Sequence, residues 1–235
     1  MFRAAVLIIA CAGVAGAHDV ITTKITWSKE VSRLVYKRCA MCHREGGSSF
    51  SLMTYDEARP WAKAIKEEAL ERRMPPWEAV KGFGEFKDDR GLTEEELEVI
   101  SDWVEGGAPE GNPKHLPEQP KPQKWLDGAM PKGSAEVVVS SETKLDAAAN
   151  VLAIRPKEMK KGASIQVIAA RPDGTFEPLL WIYQYNPDYQ RTYYFKTPVN
   201  LPVGTQIQTS PPDAGKIALF ASGSKKTAKP STGGH

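Results

Sequence analysis

Cysteine, histidine and long apolar runs are all scarce in this chain, and each scarcity removes a class of protein. There are 3 cysteines and 4 histidines in 235 residues. Three cysteines are too few to staple a disulfide-dense scaffold, and the odd count makes the position of each one matter. They are Cys11, Cys39 and Cys42. A long apolar run occurs once, at the N-terminus, which excludes a multi-span membrane protein. No internal repeat is visible. The charged fraction of 26% is ordinary for a globular protein and argues against a disordered or collagen-like chain.

Residues 1–17 read MFRAAVLIIACAGVAGA: one positive charge at Arg3, an apolar stretch from Ala4, then the small-x-small pattern Ala15-Gly16-Ala17. These are the parts of a secretory signal peptide, and the run is too short to span a bilayer as a stable helix. A competing reading takes Ile8-Ile9-Ala10-Cys11 as a lipoprotein signal with Cys11 lipidated. Both readings predict a periplasmic or otherwise exported protein with no transmembrane span in the mature chain. Cleavage after Ala17 would leave two cysteines.

The two halves of the chain differ in charge. Residues 24–112 hold 14 Lys and Arg against 18 Asp and Glu, a net of −4, whereas residues 113–235 hold 16 against 10, a net of +6. Between them lies a proline-rich stretch with Pro113, Pro117, Pro120, Pro122 and Pro131, in which fixed φ angles and missing donors favour an extended linker. The expected organisation is a signal peptide over 1–17, a helical domain over 24–112, a linker over 113–132, a β-sandwich over 133–222 and a disordered tail over 223–235.

In the first half, Ser28 is expected to cap a helix running into Cys39, with Trp27, Val31, Leu34 and Val35 on one face. Thr54 with Glu57 forms a capping-box pattern, but Pro60 should interrupt that helix, leaving a main body from Pro60 to Arg73 that stops before Pro75-Pro76. Thr93 with Glu96 opens a third helix that Gly106-Gly107 closes. In the second half the period changes. Seven short segments rich in Val, Ile, Tyr and Thr, from Ala135 to Ala221, are divided by turns such as Pro172-Asp173-Gly174 and predict an antiparallel sandwich. The fold class expected is therefore α+β in two domains.

Cys39-Ala40-Met41-Cys42-His43 is C-x-x-C-H, the attachment signature of c-type haem. Two thiols at the end of a helix can add to both vinyl groups of one haem, and the next residue then offers its imidazole to the iron. A structural zinc site needs four ligands, yet outside the motif only His18, His115 and His235 remain, all in tail or linker sequence. A thioredoxin-like dithiol calls for a strand before the motif, where a helix is expected. A plain disulfide leaves His43 unexplained. Haem c, one per chain and covalent, is the cofactor expected.

The ligand opposite His43 is expected to be a methionine. Met74 is the best placed, because it follows a helix and Pro75-Pro76 would hold its loop extended; Met53 is next, and an open or water-bound iron is the remaining alternative. Phe50, Trp61 and Trp77 are expected to wall the haem from water.

With these motifs the first half resembles a small class I cytochrome c. Thr54-Tyr55-Asp56-Glu57-Ala58-Arg59-Pro60-Trp61, Arg73-Met74-Pro75-Pro76-Trp77 and Gly106-Gly107-Ala108-Pro109-Glu110-Gly111 are similar to the bacterial monohaem cytochrome domains found beside copper type II, ascorbate-dependent-monooxygenase-like proteins. That resemblance covers residues 24–114 and implies His43 and Met74 as axial ligands. The second half resembles the jelly-roll C-terminal domain of those monooxygenase-like proteins, through Ala153-Ile154-Arg155-Pro156, Gly162, Leu179-Leu180-Trp181 and Leu201-Pro202-Val203-Gly204-Thr205. Where that family carries a His-x-His copper pair, this chain reads Lys157-Glu158-Met159, and where a further histidine follows it reads Thr209-Ser210-Pro211-Pro212. The resemblance thus implies the fold without the copper site.

The function expected is an exported electron carrier, an exchanger of single electrons with protein partners and not an enzyme. Its sandwich would serve as an interaction module; Lys157, Lys160 and Lys161 read first as a solvated turn, with a face for an acidic partner as the alternative. It could be a subunit of a larger membrane-bound respiratory or photosynthetic complex; no nucleic-acid partner is expected. The alternative is a haem-containing, copper-dependent redox enzyme, whose best remaining ligand would be His18.

Overall fold

The computed structural model describes residues 23–122 and 129–222. The expected signal peptide with Cys11 and His18, the tail, and residues 123–128 of the linker lie outside them.

A π-helical turn, Trp27–Val31, runs straight into α1, Ser32–Arg38. Thr26, not Ser28, precedes the first turn. Ser28 is fully buried instead, and its hydroxyl donates to the Glu110 carbonyl at 2.8 Å. A buried serine aimed at a distant carbonyl fastens the N-terminal turn to the chain after the last helix, which removes it from capping. The Thr54 capping box opens α2, Tyr55–Ala58, as expected; Pro60 then tightens the backbone into a 3-10 turn, Arg59–Trp61, before α3, Ala62–Leu70. This helix ends earlier than the expected Arg73, because Arg72 already has a left-handed φ of 58°.

The last helix, α4, Glu94–Glu105, carries the Thr93–Glu96 capping box. Trp27, Val31, Val35, Ala62 and Trp103 bury one apolar seam between these elements, and Leu34, Ala69 and Ile100 bury a second. Trp27 and Trp103 meet with centroids 6.0 Å apart, and the Trp103 indole donates to the Pro109 carbonyl at 3.0 Å.

The second half consists of two four-stranded antiparallel sheets, consistent with a β-sandwich. The strands are β1 Ala135–Val139, β2 Thr143–Lys144, β3 Ala149–Lys157, β4 Ile165–Ala170, β5 Phe176–Ile182, β6 Tyr193–Leu201, β7 Gln206–Ser210 and β8 Lys216–Ser222. One sheet has the order β1-β8-β3-β6 and the other β2-β7-β4-β5. The two-residue β2 was not foreseen, since it is too short to show alternation. Alternating side chains of both sheets, among them Val151, Ile154, Val167, Leu179, Ile207 and Leu219, close the core between them.

The two halves also meet away from the linker. The loop between α3 and α4 crosses to the sandwich and pairs with the free edges of both sheets. Ala79 bridges Ile182 of β5, and Phe86 bridges Phe195 of β6, both antiparallel. Ala79 and Phe86 are buried in the sandwich core. Gly84, at φ +82°, makes the crossing possible: a Cβ there would lie 2.5 Å from the Leu179 carbonyl oxygen.

Glu96 joins the first helix to the last. Its carboxylate takes the Arg38 guanidinium at 2.9 Å and the Lys37 ammonium at 3.0 Å while completing the Thr93 cap. Burial pushes this carboxyl up, but Arg38, the Thr93 backbone and Lys37 together hold it below its ordinary value of 4.5. Glu96→Gln keeps the capping geometry and deletes the charge pair. The substitution is expected to cost about 2 kcal/mol, the scale of a hydrogen-bonded charge. Because the folded pKa is depressed, that loss is full above pH 4.5 and fades as the pH falls through the lower folded value. Urea unfolding of both proteins across this range measures it, and a difference independent of pH would remove the ion pair from the account.

Candidate functional site

The end of α1 places the chemistry-bearing residues on a single turn. The Cys39 N–H donates to the Val35 carbonyl at 2.8 Å, and the N–H groups of Cys42 and His43 return to the Cys39 carbonyl at 3.1 and 2.9 Å. Cys39 and Cys42 are free thiols, both half-buried. Burial pushes the Cys39 thiol up to about 12, although Arg38 pulls the other way.

His43 has one ring nitrogen committed. Its Nδ1 lies 3.0 Å from the Phe50 carbonyl oxygen, which can only accept, so Nδ1 carries the proton and Nε2 keeps its lone pair. Burial lowers the His43 pKa, with the Phe50 bond acting against it, which favours the neutral ring. A neutral imidazole with its far nitrogen tied to a backbone carbonyl is the usual form of a metal-binding histidine. Two thiols and such an imidazole on one turn are a donor set that fits a covalently tethered haem. Among the described residues, no group of three or more His, Cys, Asp or Glu is placed to hold a metal ion.

The loop that follows is closed by hydrogen bonds from Ser49 N–H to the Cys42 carbonyl and from Leu52 N–H to the His43 carbonyl, both at 3.1 Å. It brings Phe50 against the His43 ring, edge-on at 4.9 Å, and Trp61 against Phe50 at 4.7 Å. These three rings form a row in which Phe50 and Trp61 are each 48% exposed. Phe50 thus stands beside His43, and Trp61 stands behind Phe50.

Trp77 turns elsewhere. Its ring packs edge-on against Tyr193 at 5.0 Å and lies under the Arg191 guanidinium at 5.5 Å, at the border of the sandwich core. The physical reason is the edge pairing of the residues after it, which carries Trp77 toward β6. Met74, half-buried, lines two cavities, one of about 340 Å³ between the end of α3 and the start of α4 and one of about 500 Å³ against the sandwich, and Trp77 lines both with it. Neither is lined by Cys39, Cys42 or His43. Met53 is buried, and its carbonyl accepts the Tyr36 hydroxyl at 3.0 Å.

The sequence reading missed Glu78, Arg191 and Tyr193. Tyr193 donates its hydroxyl to the Glu78 carboxylate at 2.9 Å, and Arg191 is only 6% exposed. Burial raises the Glu78 carboxyl, opposed by Arg191 and Tyr193; burial and the Glu78 charge both raise the Tyr193 hydroxyl. The signal available was a pair of apolar residues, Ala79 and Phe86, flanking Gly82 and Gly84, which reads as two edge strands around a turn.

In the sandwich, Lys157 ends β3 and pairs with Glu136, Glu158 pairs with Lys216 at 2.7 Å, and Met159 is buried in the core. Lys161 faces Asp188 at 3.8 Å. The lysines read as a solvated turn, or else as a face for an acidic partner, are thus partly matched by carboxylates of the same chain. No described helix is long and apolar enough to cross a membrane.

Gly47 gives a direct check on the loop. A Cβ there would stand 2.2 Å from the Cys42 carbonyl oxygen and 2.9 Å from that of Arg44, whereas Gly46 has open space and only a left-handed φ of 67°. Gly47→Ala is expected to cost about 2–3 kcal/mol by displacing that backbone, against about 1 kcal/mol for Gly46→Ala. Urea unfolding of the two variants decides, and equal losses would mean that Gly47 does not pack so closely against Cys42.

Set against protein-family models, curated proteins and solved structures, the chain matches none.

Proposed function

We propose that the protein is an exported monohaem c-type cytochrome that passes single electrons between protein partners. One observation carries the reading: Cys39, Cys42 and His43 share a turn, and the Phe50 carbonyl leaves the His43 Nε2 free to bind iron. The likeness of residues 24–114 to monohaem cytochrome domains supports it, as does the signal-like sequence before them.

Bound haem supplies a one-electron iron couple. Each residue has a separate task. Cys39 and Cys42 would tether the group through two thioether bonds, each thiol adding its S–H to one vinyl double bond with no oxidant needed. His43 gives its Nε2 lone pair while the Phe50 carbonyl fixes the ring's tautomer and orientation. Met74 is the proposed second ligand; its thioether raises the potential relative to a nitrogen donor. Phe50, half-exposed against His43, and Trp61, half-exposed behind it, mark the side on which an electron partner would dock. The sandwich joins such a partner or complex as an interaction module, since its core-filling Met159 and paired Lys157 leave no copper-binding set there.

Mass spectrometry and visible spectroscopy of the exported protein test this. The expected result is one covalent haem per chain, lost in Cys39→Ala/Cys42→Ala, and a low-spin six-coordinate spectrum. Met74→Ala should keep the haem and become high-spin. A mass equal to the polypeptide alone overturns the reading, and a spectrum altered by Met53→Ala but not by Met74→Ala moves the second ligand to Met53.

A further inference from the structure

The sheet β2-β7-β4-β5 turns one face to the core and the other outward. Val167, Leu180 and Ile207 point into the core, so strand alternation sends their neighbours to the outer face. The register arranges those neighbours in rows. Trp181 of β5 lies opposite Gln166 of β4, Ile168 of β4 opposite Gln208 of β7, and Ala170 of β4 between Phe176 of β5 and Gln206 of β7. Of the described strand residues that the register places on this face, Lys144 on the edge strand β2 is the one with a charge, in a chain that is 26% charged. Phe83, from the loop that crosses over from the helical half, sets its ring edge-on to Trp181 at 5.9 Å and widens that end of the face. Phe176, at the other end, is 64% exposed. Among the described residues Trp181, Ile168 and Phe176 join none of the buried clusters.

The three glutamines decide what such a face can hold. Gln166, Gln206 and Gln208 are half-buried, and none of their side-chain amides has a hydrogen-bond partner among the described residues. Each amide carries both donors and an acceptor. A lipid surface or an apolar protein face would cover these groups without pairing them, which is costly. A nucleic acid or a strongly charged protein would meet no opposite charge there. A neutral sugar chain matches both components: its C–H faces pack on aromatic and aliphatic carbon, and its hydroxyls, uncharged donors and acceptors, meet the amides alongside. The rows follow one another at about 7 Å, two residues of strand, so the face is long enough for more than one sugar ring. We propose that the outer face of this sheet binds an uncharged, extended, β-linked glycan chain, stacked on Trp181, Phe83 and Phe176 and hydrogen-bonded by Gln166, Gln206 and Gln208. The inference does not depend on the haem reading.

Calorimetric titration of the full-length protein with cellohexaose and with chitohexaose tests it, with polygalacturonate as the charged comparison. The expected result is saturable binding of at least one of the two neutral sugars and none of polygalacturonate. Phe176→Ala should weaken that binding about tenfold, and Gln208→Ala about fivefold, the worth of one neutral hydrogen bond. Val138→Ser changes an exposed apolar residue on the opposite sheet and should leave the affinity as it is. If Gln208→Ala fails to fold, Phe176→Ala and Gln166→Ala carry the test. The absence of saturable binding for both neutral sugars overturns the proposal, and so does wild-type affinity in both Phe176→Ala and Gln208→Ala. Binding of polygalacturonate as tight as that of the neutral sugars overturns it as well, as does a loss in Val138→Ser equal to that in Phe176→Ala. Sedimentation of the same protein supplies the last outcome: a dimer that Phe176→Asp disperses would give the face to a second copy and overturn the glycan assignment.

Discussion

Two sheets with open edges impose the constraint on which the rest of this molecule depends. The outer strands β5 and β6 each present unpaired backbone groups on the side that faces the helices, and such edges must be covered or they recruit other chains. The loop between α3 and α4 covers both, with Ala79 on β5 and Phe86 on β6. Once one loop does this, the helical half and the sandwich are no longer independent. The loop starts at Met74 and ends near Gly91, so the covering of the edges also fixes what lies on either side of it, the end of α3 and the start of α4.

The junction is unusual in what it buries. Tyr193 bonds Glu78 and meets the edge of Trp77, whose face carries Arg191, and isolated charges in such a place would cost several kcal/mol each. Here the carboxylate has a hydroxyl donor and a cation nearby, and the guanidinium lies on an indole face. A buried polar network of this kind adds little net stability compared with apolar packing, but it accepts one arrangement of its partners and rejects neighbouring registers. That property suits a place where one segment must dock on two sheets in a single alignment. Phe86, Phe195 and Tyr193 supply the apolar adhesion beside it, with centroids 5.2 to 5.3 Å apart.

What the sequence disclosed follows the range of the interactions involved. The Thr54 and Thr93 caps were legible because a capping box spans four residues and its chemistry is local. The strands of the sandwich were legible from alternation, except Thr143–Lys144, which is too short to alternate. The Cys39–His43 turn was legible because both thiols and the imidazole occupy adjacent positions of one helical turn. Ser28 misled because its partner, the Glu110 carbonyl, is 82 residues away. Trp77 lines the same two cavities as Met74, but its ring partners Tyr193 and Arg191 lie more than a hundred residues on, so the sequence did not disclose that it also packs on the sandwich. The boundary near residue 112 was drawn from proline content and charge, two local measures that do not register a loop crossing from one half to the other.

The charge difference between the halves takes on another meaning in this light. Residues 24–112 carry a net −4 and residues 113–235 a net +6, which at the sequence level reads as two objects suited to two different partners. In the folded chain part of that charge is spent internally: Glu78 of the acidic half lies in the field of Arg191 of the basic half, and Glu85 faces Lys196 at 3.9 Å. The sandwich lacks the histidines that its resemblance would require for copper, yet it has kept a tightly filled core and the two edges that receive the loop. The sandwich's buried polar contact with the helical half lies at the residues that directly follow Met74, so whatever else it meets, it acts first on the helical half of its own chain.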